Sequence, residues 1–151
     1  MSASDHEIDH ETRFSGFLAA VPTSVERSHI ESVVDRFMST YASRDVATRI
    51  SLFAEELCFE DPAGHRLASN RADLEQFFVG MVASGVSLRF FPERLVVVGD
   101  EALQIARLLI ERGETDITLL LLHLHFVFNP EGLIAQVRVF FDESCASKPA
   151  L

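Results

Sequence analysis

ITLLLLHLHFVF, residues 117–128, is apolar at both parities. Side chains alternate along a strand, so Leu120, Leu122, Leu124, Phe126 and Phe128 share one face, and Leu119, Leu121, His123, His125 and Val127 share the other. The run is too short to cross a bilayer as a helix. Its neighbours read as strands too: residues 86–98, a Gly99-Asp100 turn, residues 102–112, a Gly113-Glu114 turn, then Asn129-Pro130-Glu131-Gly132 and residues 133–142. Four long strands joined by short turns make an antiparallel meander.

Upstream of the meander the period changes from two to 3.6. Thr23 or Ser24 is placed to cap a helix in which Ile30, Val33, Val34, Phe37, Met38 and Tyr41 recur on one face, to about residue 42. Asp45 can cap a second helix over residues 46–54, which buries Val46, Ile50 and Phe53. Residues 57–61 read as a short strand entering a Pro62-Ala63-Gly64 turn. Asn70 can cap a third helix carrying Leu74, Phe77, Phe78, Met81 and Val82, with Gly85 as its stop. Three N-terminal helices packed on one face of a curved antiparallel sheet is an α+β order. A sheet with one solvated face would alternate apolar with polar, which residues 117–128 do not, and no unassigned element is left to cover the second face. The expected cover is a second copy: a homodimer through the outer sheet face, with His123 and His125 on or near it.

At 151 residues the chain has the size of one ordinary domain. Nearly half of it is apolar, with thirteen Phe, one Tyr and no Trp, so the core is expected to be rich in phenylalanine. A formal charge of −10 without a Lys/Arg cluster argues against nucleic acid and anionic lipid as partners. Cys58 and Cys145 stand far apart with no metal-ligand or CxxC spacing, which fits a reducing cytoplasm. The acidic start lacks the basic region of a signal peptide. Residues 6–10, HEIDH, spell the zinc-protease string HExxH, but polar flanks, a terminal position and the lack of a third ligand read as a mobile acidic tail. Residues 14–22, FSGFLAAVP, suggest an apolar turn or short helix docking on the body. The chain thus divides into an acidic extension over 1–23, a domain over 24–144 and a tail over 145–151.

CFEDPAGHR, residues 58–66, carries the candidate chemistry. An Asp before Pro62 can serve a turn through local hydrogen bonds. Strand parity gives Asp61 another reading, because Leu57, Phe59 and Asp61 share one face while Cys58 and Glu60 share the other. A cavity-facing carboxyl loses hydration, and its pKa rises toward the range useful for proton transfer. His65 could sit at the cavity mouth as a second proton carrier, an exposed loop histidine being its other reading.

YASRD (41–45), LFAEELCFEDPAG (52–64), NRADLEQFF (70–78) and FVFNPEGLIAQVRVFF (126–141), in this order, resemble the nuclear transport factor 2-like superfamily. Within it the chain looks like the ketosteroid isomerases and SnoaL-like polyketide cyclases. The resemblance runs over residues 24–144 and implies a cone-shaped, cystatin-like α+β fold. It also implies a role for Asp61, which falls on the general base of the isomerases. In those enzymes the base works beside an oxyanion hole made of a Tyr and a protonated Asp. Here the Tyr position falls on Phe37, the supporting tyrosines on Phe53 and Phe78, and the Asp on Leu124. The family's donors are absent. Since loss of one oxyanion donor costs on the order of a hundredfold to a thousandfold in rate, a substitute matters.

Two substitutes are candidates. Tyr41 lies one helical turn after Phe37 on the same face. Arg107 shares a strand face with Leu103, Ile105 and Leu109, opposite Gln104, which allows an inward guanidinium near Asp61; an edge or interface arginine is the other reading. The expected site is a deep apolar pocket walled by Phe37, Tyr41, Phe53, Phe59, Phe78, Leu124, Val137, Val139 and Phe141. Its expected activity is proton transfer on a small hydrophobic carbonyl compound, as in an isomerase, lyase or cyclase, with no cofactor and no metal. The alternatives are a non-catalytic binder of a small hydrophobic molecule and a protein-interaction module without an open cavity.

Overall fold

The computed structural model describes residues 14–149. The HEIDH string at residues 6–10 lies outside them. Residues 14–19 are helical, with Phe17 and Leu18 largely exposed, and the chain then meets the body at Val21 and Pro22, which lie against the Gly99 turn.

Helix α1 (Arg27–Ser43) follows an extended Glu26 and has no side-chain cap. Thr23 and Ser24, expected to cap it, lie too far upstream. The amides of Ser24 and Val25 instead donate to Asp100 Oδ1 at 2.8 and 3.0 Å, so a turn of the sheet anchors the helix entry. Its apolar stripe, Ile30, Val33, Val34, Phe37 and Met38, is buried as the spacing predicts. Helix α2 (Val46–Ser51) is capped by Asp45, which accepts from the Thr48 amide at 3.1 Å. It ends earlier than expected because strand β1 (Phe53–Glu60) already begins at Phe53. Strand β2 (Arg66–Asn70), which the sequence reading missed, hairpins back on β1. Asn70 caps helix α3 (Arg71–Ala83) by accepting from the Asp73 amide at 2.9 Å.

The meander follows as β3 (Ser87–Val98), β4 (Glu101–Arg112), β5 (Asp116–Phe128) and β6 (Ile134–Phe140). Neighbouring pairs within it are antiparallel. Strand β1 then joins β6 in parallel, placing Phe59 beside Val137, and the order across the sheet is β2-β1-β6-β5-β4-β3. After β6 a short 3-10 turn (Glu143–Cys145) leads into the stretch expected as a C-terminal tail, where strand β7 (Ala146–Ser147) pairs with β5 at Leu119 and Leu120. The β5–β6 turn is tied to α1: His29 Nε2 lies 2.8 Å from the Gly132 carbonyl. A side chain at Gly132, where φ is +82°, would collide with that ring.

The sheet curves without closing, and α1 and α3 pack on one face of it. That face of β5, Leu122, Leu124, Phe126 and Phe128, is buried, whereas Leu119 through Val127 of the other parity remain half-exposed. Five phenylalanines, Phe37, Phe53, Phe59, Phe78 and Phe126, fill the centre. They meet largely edge to face, Phe37 and Phe126 at 5.3 Å and 82°. Among the described residues no helix is long and apolar enough to cross a membrane.

Candidate functional site

A cavity of about 280 Å³ opens between α1, α3 and the helix-covered face of the sheet. This lies near the lower end of the range, roughly 300 Å³ upward, in which small-molecule sites fall. Its walls are overwhelmingly apolar: Phe37, Phe59, Phe77, Met81, Leu88, Phe90, Leu108, Ile110, Leu120, Leu122, Leu124, Val139 and Phe141. The polar side chains among them are Asp61, Tyr41, Ser84 and Arg112, the last two exposed at its rim.

Asp61 reaches the cavity because it continues the inward series of β1, two residues after the buried Phe59. Its carboxyl does no turn work. The loop is closed by backbone bonds, Asp61 N to the His65 carbonyl at 3.0 Å, His65 N to the Pro62 carbonyl at 2.9 Å and Ala63 N to the Val139 carbonyl at 2.7 Å. The remaining loop amide, Gly64 N, donates to Glu60 Oε1 at 2.6 Å. Glu60 also accepts from Arg138 Nε at 3.2 Å, and the Gly64 bond is the main reason its carboxyl is held below the usual range. So the two adjacent acids divide the labour: Glu60 ties the loop to β6, and Asp61 is left to the cavity. Among the described residues no hydrogen-bond donor reaches the Asp61 carboxylate. Burial raises its pKa to about 6, and the nearby His65 pulls down against that. His65 itself is exposed, with Nδ1 3.3 Å from the Asp61 carbonyl oxygen, and is not part of the cavity wall.

Tyr41 stands on the α1 face predicted for it. Its ring meets Phe37, Phe78 and Phe90 edge to face, with centroids 5.3, 6.0 and 4.8 Å away. Among the described residues its hydroxyl has no hydrogen-bond partner. Burial pushes the phenol well above its ordinary pKa; Arg49 lowers it and Asp61 raises it, so phenol and carboxylate sense each other across the cavity.

Arg107 is a correction. It points to the outer face, where its Nε lies 2.6 Å from Glu93 Oε1, in register with Phe91 and Leu121. The inward series of β4 is instead Ala102, Gln104, Ala106 and Leu108. Small alanines leave room beneath the helices, and Gln104 is buried because Nε2 donates to the carbonyls of Arg94 and Ile105 at 3.0 and 2.8 Å, beside the irregularity in β3. Phe53, Phe78 and Val137 also differ from expectation. They are fully buried one layer behind the cavity wall, with Phe53 6.1 Å from Phe37 and Phe78 5.6 Å from Phe59. Phe37, Phe59, Leu124, Val139 and Phe141 do line it.

The sequence reading missed Leu88, Phe90, Leu108, Ile110 and the rim pair Ser84 and Arg112. Leu120 and Leu122 share the parity of Leu124, and register with β5 carries that parity to Leu108 of β4 and Phe90 of β3. Among the described residues, no cluster of His, Cys, Asp and Glu is arranged to hold a metal ion.

Residues 34–137 match the model of the SnoaL-like domain, and the chain belongs to that family. Solved structures share the fold at low identity. The epoxide hydrolase/cyclase-like enzyme SalBIII, which acts in pyran ring formation in the polyether salinomycin, aligns with a TM-score of 0.72 and 19% identity, over 83% of this chain and 99% of its own. RV0760c from Mycobacterium tuberculosis, solved with estradiol-17beta-hemisuccinate, aligns at 0.68 and 18%, over 76% of this chain and 95% of its own. A computationally designed 17-OHP binder aligns at 0.69 and 16%, over 76% and 94%.

Proposed function

We propose that the chain binds a small hydrophobic carbonyl compound and moves a proton between two of its carbons without a cofactor. Asp61 is the base and Tyr41 the donor to the carbonyl oxygen. The observation that carries this reading is the Asp61 carboxyl, raised to about 6 and without a hydrogen-bond partner among the described residues, facing an apolar cavity that it shares with a phenol likewise without one among them. In the reaction, the Asp61 carboxylate takes a proton from the carbon beside the carbonyl. The electron pair moves onto the carbonyl oxygen, which Tyr41 holds by a hydrogen bond, and Asp61 returns the proton at the conjugated carbon. No net proton or electron is gained or lost.

Asp61→Asn tests the scheme against a β,γ-unsaturated ketosteroid, with appearance of the conjugated enone as the signal. Turnover should be lost; turnover equal to wild type would sink it. A second reading is favoured by the apolar Phe37 and Leu124 in the wall, which leave few donors for an oxyanion. It is a non-catalytic binder of a hydrophobic molecule, a role consistent with the steroid bound by RV0760c and with the designed binder. It requires no turnover in wild type and an affinity that survives Asp61→Asn. The open cavity weighs against a pure protein-interaction module.

The outer sheet face is our candidate homodimer interface, since Phe91, Val96, Val98, Leu103 and Phe140 are exposed there beside His123 and His125. Both cysteines are unpaired, in keeping with a cytoplasmic setting.

A further inference from the structure

Arg49 is the one charged residue that is buried among the described residues, and the proton-transfer scheme gives it no role. Its guanidinium carbon lies 3.7 Å from the centroid of the Tyr41 ring and 4.3 Å from that of Phe78. Its Nε donates to Thr40 Oγ1 at 2.9 Å, and the Thr40 hydroxyl donates to the Phe37 carbonyl at 2.6 Å. It forms no ion pair with a carboxylate among the described residues. A buried cation without a counter-ion is costly, and two aromatic faces offset only part of that cost. Burial accordingly pulls down its pKa, while Tyr41 and Asp45 act in the opposite sense. A guanidinium stays protonated through such shifts, so the charge persists.

Arg49 does not line the cavity; Tyr41 does. A positive charge at the face of a phenol favours negative charge on its oxygen, and therefore strengthens the hydrogen bond that its O–H gives to an acceptor gaining charge. The coupling is reciprocal: Arg49 draws the phenol toward ionisation, against burial and Asp61, and the phenol in turn favours the arginine's charge.

We propose that Arg49 is a positioning and polarising residue, which through the Tyr41 ring makes the Tyr41 hydroxyl a stronger donor to an acceptor in the cavity than a phenol in an apolar wall would otherwise be. For a carbonyl acceptor this rests on the function proposed above. It would supply, by one cation behind one phenol, part of what the missing donors at Phe37 and Leu124 do not.

The single tyrosine and the absence of tryptophan make the test clean. Biosynthetic incorporation of 3,5-difluorotyrosine, a more acidic phenol, labels position 41 alone, and its phenolate absorbance is titrated in ligand-free protein. Arg49→Met, which keeps an apolar stem of similar length, should raise the midpoint by about one unit or more, a tenfold weaker acid. Arg49→Lys, which keeps a charge but not the planar stack, should fall between the two. Should the Met variant not fold, the Lys variant decides by its own upward shift. A midpoint equal to wild type in a folded variant overturns the proposal. A conjugated steroid enone is then bound to wild type and variant, and the red shift of its absorption should shrink in the variant; an equal shift also overturns it. If wild type binds no enone, the function proposed above fails and the titration alone decides Arg49. Turnover enters neither readout, so a catalytically silent protein leaves the test intact.

Discussion

Replacing Asp61 by Asn should change how stability depends on pH, and the size follows from the site. Burial lifts the carboxyl from 3.8 to about 6, a rise of roughly two units. Each unit is worth about 1.4 kcal/mol, so the folded state disfavours the ionised form by about 3 kcal/mol relative to the unfolded chain. The sign follows from proton counts. Between pH 3.8 and about 6 the folded state keeps the proton and the unfolded state releases it, so wild type loses stability as pH rises through this window and then levels off. An amide at position 61 does not titrate. The stability of Asp61→Asn relative to wild type should therefore rise by about 2.5 kcal/mol from pH 4 to pH 8, the rest of the change falling below pH 4. Any cost of burying the unpaired amide adds a constant and leaves the slope untouched. Urea unfolding of both proteins at unit steps of pH gives the difference directly, and other titrating groups largely cancel in it. A difference that stays flat from pH 4 to 8 would refute a desolvated carboxyl at this position, and with it the physical basis for Asp61 as base.

The same shift predicts that turnover rises with an apparent pKa of about 6, which a pH–rate profile of kcat/KM would check. Tyr41→Phe should lower kcat on the order of a hundredfold to a thousandfold with KM little changed. A loss below about tenfold would remove Tyr41 as the donor to the carbonyl oxygen. Arg107→Ala should leave turnover unaltered and cost under about 1 kcal/mol in a thermal melt, because its pair with Glu93 is exposed. Leu103→Asp and Phe140→Asp, on the outer face, should convert a dimer to monomer in sedimentation velocity; a monomeric wild type would dismiss that interface.

Much of the fold was legible because its signals are local. Period 3.6 in α1, the Asp45 and Asn70 caps and the strand runs of β3 to β6 bounded by short turns each depend on neighbours a few residues away. Strand β2 was not legible: RLASN has a single large apolar residue and is held by pairing with β1. Asp61 was readable for the same reason that the strands were, because it continues the parity of Leu57 and Phe59 across a short β1.

Arg107 shows where such reading stops. Parity says which residues of β4 share a face, and here the face with Leu103, Ile105 and Leu109 holds more of the strand's large aliphatic side chains, yet it is the outer one. The inner face carries Ala102, Gln104 and Ala106, all buried, and the Gln104 amide there satisfies two carbonyls. Arg49 makes the same point, since its value comes from the rings of Tyr41 and Phe78 on two other helices. By itself, the sequence determined most of the elements, the phenylalanine-rich core and the inward carboxyl. Only the tertiary structure decided which face of β4 looks inward and which cation stands behind Tyr41, because those depend on volume and charge brought together from separate parts of the chain.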